Sequence, residues 1–246
     1  NVSWWGDYYV TGDVYGADTL RIQPGTTVRI APNTDDTSSG VDPDLSEIIV
    51  RGNSELIALG NGTRPITFMS AADSVGRGQW YAIRAMSEDG QHPVVRLSNV
   101  SISHACIGLA SISPTVLEAS ACTIDDCQMI GIKTYGLYGA SDIDITGCAI
   151  TECPIGIRLH RAAADVVENE IVNCDSYGMK IYEDYGSTVR ENLITGPSTL
   201  WNPQFTGLWS QGAQADLKVA RNTSQRLNYG VYYELSDYGI IERNMV

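Results

Sequence analysis

From Val94 onward, apolar and polar residues alternate in short β-branched runs separated by Gly, Asn, Asp and Ser, and no stretch carries the periodicity of an amphipathic helix. One phrase keeps returning: Val100-Ser-Ile102, Cys122-Thr-Ile124, Cys148-Ala-Ile150, Asn169-Glu-Ile171, Asn192-Leu-Ile194, Asn222-Thr-Ser224 and Asn244-Met-Val246, at spacings of 21 to 30 residues. A glycine and an alternating segment follow most of them, as in Gly131-Ile-Lys-Thr-Tyr135, Gly156-Ile-Arg-Leu-His160, Gly178-Met-Lys-Ile-Tyr182, Gly207-Leu-Trp-Ser-Gln211 and Gly230-Val-Tyr-Tyr-Glu234. A repeat of this length made of strands alone predicts a solenoid whose successive coils pair in parallel. A leucine-rich horseshoe is the competing solenoid, and its Leu-rich consensus is absent. The expectation is an all-β, single-domain parallel β-helix over 1–246, with an N-terminal cap and first rung in 1–30, the regular array in 94–246 and an open C-terminal rung.

The repeated Asn169, Asn192, Asn222 and Asn244 suit the corners of such a coil. Asn tolerates left-handed backbone and bonds to turn backbone, and stacked amides form a ladder. On the glycine-led strand, a period of two puts Ile132, Ile157, Met179, Leu208 and Val231 inward. Lys133, Arg158, Lys180, Trp209 and Tyr232 then share one outward column, and Tyr135, His160, Tyr182, Gln211 and Glu234 the next. Two of the chain's three lysines fall in the first column, with an arginine between them.

The N-terminal third is more varied. Trp4, Trp5, Tyr8 and Tyr9 suit a cap over an open coil end. Strand runs follow at Leu20-Arg-Ile-Gln-Pro-Gly-Thr-Thr-Val28, Ile48 to Leu59 and Pro65-Ile-Thr-Phe68, with Trp80 as core. These runs, with the Asn-x-Ile and Gly-Ile phrases, resemble the right-handed parallel β-helices of the pectate-lyase-like superfamily with carbohydrate-binding-and-hydrolysis repeats. The resemblance spans nearly the whole chain. It implies a right-handed coil and says little about activity, because one fold hosts many functions.

The 16 basic and 29 acidic residues give a net charge of −13. Overall attraction to nucleic acid or an anionic membrane is thereby excluded, and a secreted or cell-surface protein is the expected setting. No apolar run is long enough to cross a bilayer. The six cysteines, Cys106, Cys122, Cys127, Cys148, Cys153 and Cys174, follow the repeat. Rungs about 4.8 Å apart bring stacked pairs within disulfide reach, while buried free thiols are the simpler reading in a chain with rungs enough for a core. Spacing argues against zinc. Calcium is the candidate cofactor, on the polar loop that carries Asp35, Asp36, Asp42 and Asp44.

A basic, aromatic column on an acidic protein suits an acidic polysaccharide. Lys133, Arg158 and Lys180 would meet successive carboxylates, and Tyr135, His160, Tyr182, Trp209 and Tyr232 would flank or stack on the sugars. The leading expectation is a non-catalytic extracellular module that binds such a glycan or acts as a surface spacer. The alternative is a polysaccharide lyase, for which the resemblance suggests Lys180 or Arg158 as base. Glycosidic hydrolysis needs two facing carboxylates, and the face offers only Glu234. The insertion 196–205 is expected to project Trp201 and Phe205 near this face. An uncapped last rung at Asn244-Met-Val246 predicts a piece of a longer protein or end-to-end stacking into a homo-oligomer.

Overall fold

The structure is a computed structural model, and it describes all residues except 17, 74–75, 113, 137–140, 198–204 and 235–238. The described residues form three parallel sheets of ten, nine and nine strands, with no helix. Each turn of the coil gives one strand to each sheet. One rung, for example, consists of Val116–Ser120, Thr123–Asp125 and Ile130–Tyr135.

Coiling begins at once, because Val2–Trp4, Asp7–Val10 and Val14–Gly16 already form a rung that pairs with the next. The aromatic opening is therefore paired strand. Trp4 stacks on Tyr8 at 4.6 Å, whereas Trp5 remains 75% exposed. The regular pairing extends from Val2 through the array expected from residue 94.

In-register pairing stacks like on like. Phe68, Ile102, Ile124, Ile150, Ile171 and Ile194 line the inside of the second sheet, and Ile132, Ile157, Met179 and Leu208 that of the third, all buried. All six cysteines are buried and free.

Two corner devices explain the two recurring phrases. Between the first and second sheets, the Asn169 Nδ2 donates to Asn192 Oδ1 at 2.9 Å, Asn192 to Asn222 at 2.8 Å and Asn222 to Asn244 at 3.0 Å. The same Oδ1 atoms accept the backbone amides of Asn169, Asn192 and Asn222, so the ladder satisfies a buried corner that has no strand partner. The left-handed position is not the asparagine, as its tolerance suggested, but the residue before it: Glu168, Glu191, Arg221 and Arg243 have φ between 53° and 60°. The asparagine keeps its ladder geometry because its neighbour makes the bend.

Where the chain enters the third sheet, glycine is required by close approach. A Cβ on Gly131 would lie 2.6 Å from Ile150 Cγ2 and 2.7 Å from the Gly156 carbonyl oxygen. The chain turns the corner pressed against the next rung, with room for hydrogen only.

Phe205 does not project from the insertion, for it is 1% exposed and belongs to the core. Trp201 lies outside the described residues.

Candidate functional site

The third sheet carries both predicted columns. The pairing runs Lys133, Arg158, Lys180, Trp209, Tyr232 in one and Tyr135, His160, Tyr182, Gln211, Glu234 in the other, across five consecutive strands. All point away from the core, and the side chains knit together across rungs. Tyr135 meets His160 edge-on at 4.8 Å, and Tyr182 meets Trp209 at 4.6 Å.

A third column joins them that alternation does not predict. At the corner the glycine and the residue after it both face inward, since the missing Cβ of Gly178 points at Ile194 while Met179 is also core. The residue before the glycine is thereby turned outward. Ile130, Ile155, Tyr177, Thr206 and Tyr229 form this row, and Tyr177 and Tyr229 add two rings to the face. The interruption of the period at Gly178-Met179 was the sequence signal: two core-type residues in succession mark a corner.

Lys180 is held among rings. Its Nζ lies 4.2 Å from the Tyr177 ring centre, 5.0 Å from Tyr182 and 5.1 Å from Trp209, while the Arg158 guanidinium lies 5.5 Å from Tyr182. Among the described residues no carboxylate forms an ion pair with Lys133, Arg158 or Lys180. The Arg158 Nε is buried without a hydrogen-bond partner. Burial, with Arg158 alongside, holds the Lys133 amine below its ordinary value. Burial also holds His160 low, helped by Arg158, Arg161 and Lys133 and opposed by Glu183. Glu183 is committed to Arg161, which lowers its carboxyl.

The acidic loop is held by its own hydrogen bonds. Asp35, 8% exposed, accepts the amides of Asp13 at 3.1 Å, Thr37 at 3.0 Å and Ser39 at 3.1 Å, and the Thr37 hydroxyl at 2.6 Å. Burial works to raise its carboxyl, but these donors outweigh it and hold it below the usual value. Asp42 accepts the amide of Asp44 at 3.0 Å, and Asp36, like Asp42 and Asp44, is not buried. Among the described residues no group of three or more His, Cys, Asp or Glu is gathered where it could hold a metal ion. Asp142, Asp144 and Asp165 stand on the first sheet, away from the cationic column.

Three in-register parallel sheets, an asparagine ladder and a glycine corner define a parallel β-helix. The chain belongs to the right-handed β-helix family, whose description, right handed beta helix region, matches residues 73–224. No curated protein and no solved structure matches the chain. The family assignment points to a carbohydrate-related or structural role.

Proposed function

We propose that this β-helix is a non-catalytic module, secreted or at the cell surface, that binds an acidic polysaccharide along the outer face of its third sheet. The observation that carries the reading is the stack of Lys133, Arg158 and Lys180 on consecutive rungs, free of ion pairs among the described residues, in a protein of net charge −13. Seven arginines elsewhere, Arg51, Arg77, Arg84, Arg96, Arg161, Arg190 and Arg221, are paired with carboxylates. Rungs repeat about every 4.8 Å, close to the advance of one sugar in an extended glycan, so a chain along the coil axis presents its carboxylates in step with the cations. The flanking rings of Tyr135, Tyr177, Tyr182, Trp209 and Tyr232 supply sugar-stacking surface.

The test is retention on a panel of immobilised acidic and neutral polysaccharides, with and without calcium. Wild type should be held by an acidic polymer, and the Lys180→Ala/Trp209→Ala double variant should wash through. Equal retention of both proteins would move the site off this face. The lowered Lys133 amine favours one rival, a lyase that removes a proton beside a uronate carboxylate. Ultraviolet absorbance of unsaturated uronate, monitored in the same incubations, separates it from simple binding.

A further inference from the structure

The cationic column stops short toward the N-terminal end of the coil. Register carries the Lys133 position back through Ala110 to Arg84, so pairing alone would extend the row of cations. Arg84, however, is only 5% exposed, and its Nε donates to Glu47 Oε2 at 2.6 Å. The other oxygen of Glu47 accepts the Val41 amide at 2.6 Å, and the Glu47 amide donates to Asp13 Oδ1 at 2.7 Å. Asp13 in turn accepts the Ser39 hydroxyl at 2.6 Å.

The segment 35–41 is therefore bolted to Glu47, the partner of Arg84, and to Asp13. Gly40 permits this approach: its φ is +80°, and a Cβ there would sit 2.6 Å from Glu47 Oε1. The loop continues into Asp42 and Asp44. Asp42 is near enough to the adjoining rungs that its charge adds to burial in lifting the Cys106 thiol to about 11. Between this wall and Lys133 the positions are apolar and already covered: Ala82, Ile107, Ala110 and Ile130 form a buried cluster, with Tyr81 and Ile155 packed against it. An anionic chain running down the cations from Lys180 to Lys133 thus runs out of open cationic face at Lys133 and has the carboxylates of the loop ahead of it.

Building on the glycan reading above, we infer that the site is closed at its N-terminal end: an acidic chain lying along the third sheet, about one sugar per rung, extends no further toward that end than the Lys133 rung. Sugars beyond Lys133 on that side add no contact. The wall sets the limit by repulsion and by bulk, and it withholds Arg84, the one further cation of the column.

Oligogalacturonates of graded length, from dimer to decamer, titrated calorimetrically against the wild-type protein, test this. On these 246 residues, which offer five rungs from Lys133 to Tyr232, affinity should climb through the pentamer and then stay level if the N-terminal end is closed, apart from the statistical gain of sliding registers. Hydrogen exchange with the decamer bound should show protection confined to the five strands between 130 and 234, with the amides of 35–45 unchanged. Affinity that continues to climb residue by residue, or protection spreading into 35–45, would overturn the closed end while leaving the glycan reading intact. Failure of every oligomer to bind would sink the glycan reading itself, and the length limit with it.

Discussion

The ammonium of Lys180 lies 4.2 Å from the centre of the Tyr177 ring, although the two stand three apart on one strand, where strict alternation would put them on opposite faces. The glycine corner cancels one step of the alternation and brings them together. An ammonium over an aromatic face at a partly exposed site contributes about 0.5–1 kcal/mol.

Tyr177 should therefore position Lys180 for an anionic ligand. Tyr177→Leu is expected to weaken binding of an acidic oligosaccharide by roughly two- to fivefold. Tyr177→Phe, which keeps the ring, should bind within error of wild type. Calorimetry on both variants, with circular dichroism to confirm the fold, measures this, and equal loss in both would assign the effect to the hydroxyl.

The coil, its corners and the two main outward columns were legible because each rung repeats the last, and register fixes every side chain once one is placed. Residues that break the local rule were not. Tyr177 was hidden because Gly178 and Met179 both turn inward, and Phe205 was misplaced because an aromatic in an insertion gives no sign of folding back to the core. The loop 32–44 read as a run of carboxylates and a candidate calcium site. The Asp13–Glu47–Arg84 chain that anchors it depends on contacts 34 and 37 residues apart in sequence, which no local pattern encodes.

His160 makes the face sensitive to pH. Its folded-state pKa lies below the ordinary 6.5, so the imidazole is neutral at pH 7. Below 6.5 the unfolded chain takes up the proton more readily than the folded one, and the stability of the free protein should fall with pH through that window. A bound uronate favours the charged imidazole, so glycan affinity should rise over the same descent. Thermal denaturation and binding measured between pH 7 and about 5 should both flatten in His160→Gln; persistence of both slopes in that variant would assign them to another group.

The glycine corner predicts a sharp contrast between two alanine substitutions. A Cβ on Gly178 would stand 2.4 Å from Ile194 Cγ2 and 2.7 Å from the Gly207 carbonyl oxygen, and backbone of the next rung cannot yield without opening the coil. Gly178→Ala should cost about 1–3 kcal/mol, the range for forced overpacking. At Gly62 an added Cβ meets nothing within 4 Å, so Gly62→Ala should be neutral or slightly stabilising. Urea denaturation of the two variants measures the difference, and equal midpoints would show that the corner relaxes.

The Glu47–Arg84 pair should matter for stability and not for ligand. Both side chains are buried, with Glu47 wholly inaccessible, so Arg84→Met leaves a buried carboxylate without its cation. Breaking such a pair from one side costs about 3–5 kcal/mol, whereas replacing both partners is far milder. Arg84→Met should unfold at markedly lower urea than wild type, and Glu47→Gln/Arg84→Met should recover much of the loss because the amide still accepts from Val41. The folded double variant should bind an acidic pentasaccharide like wild type, while Lys133→Ala, whose cation is uncovered, should bind it several-fold more weakly, on the order of 1 kcal/mol. Weaker binding in the double variant would mean that Arg84 reaches the ligand after all, and that the loop lifts to admit it.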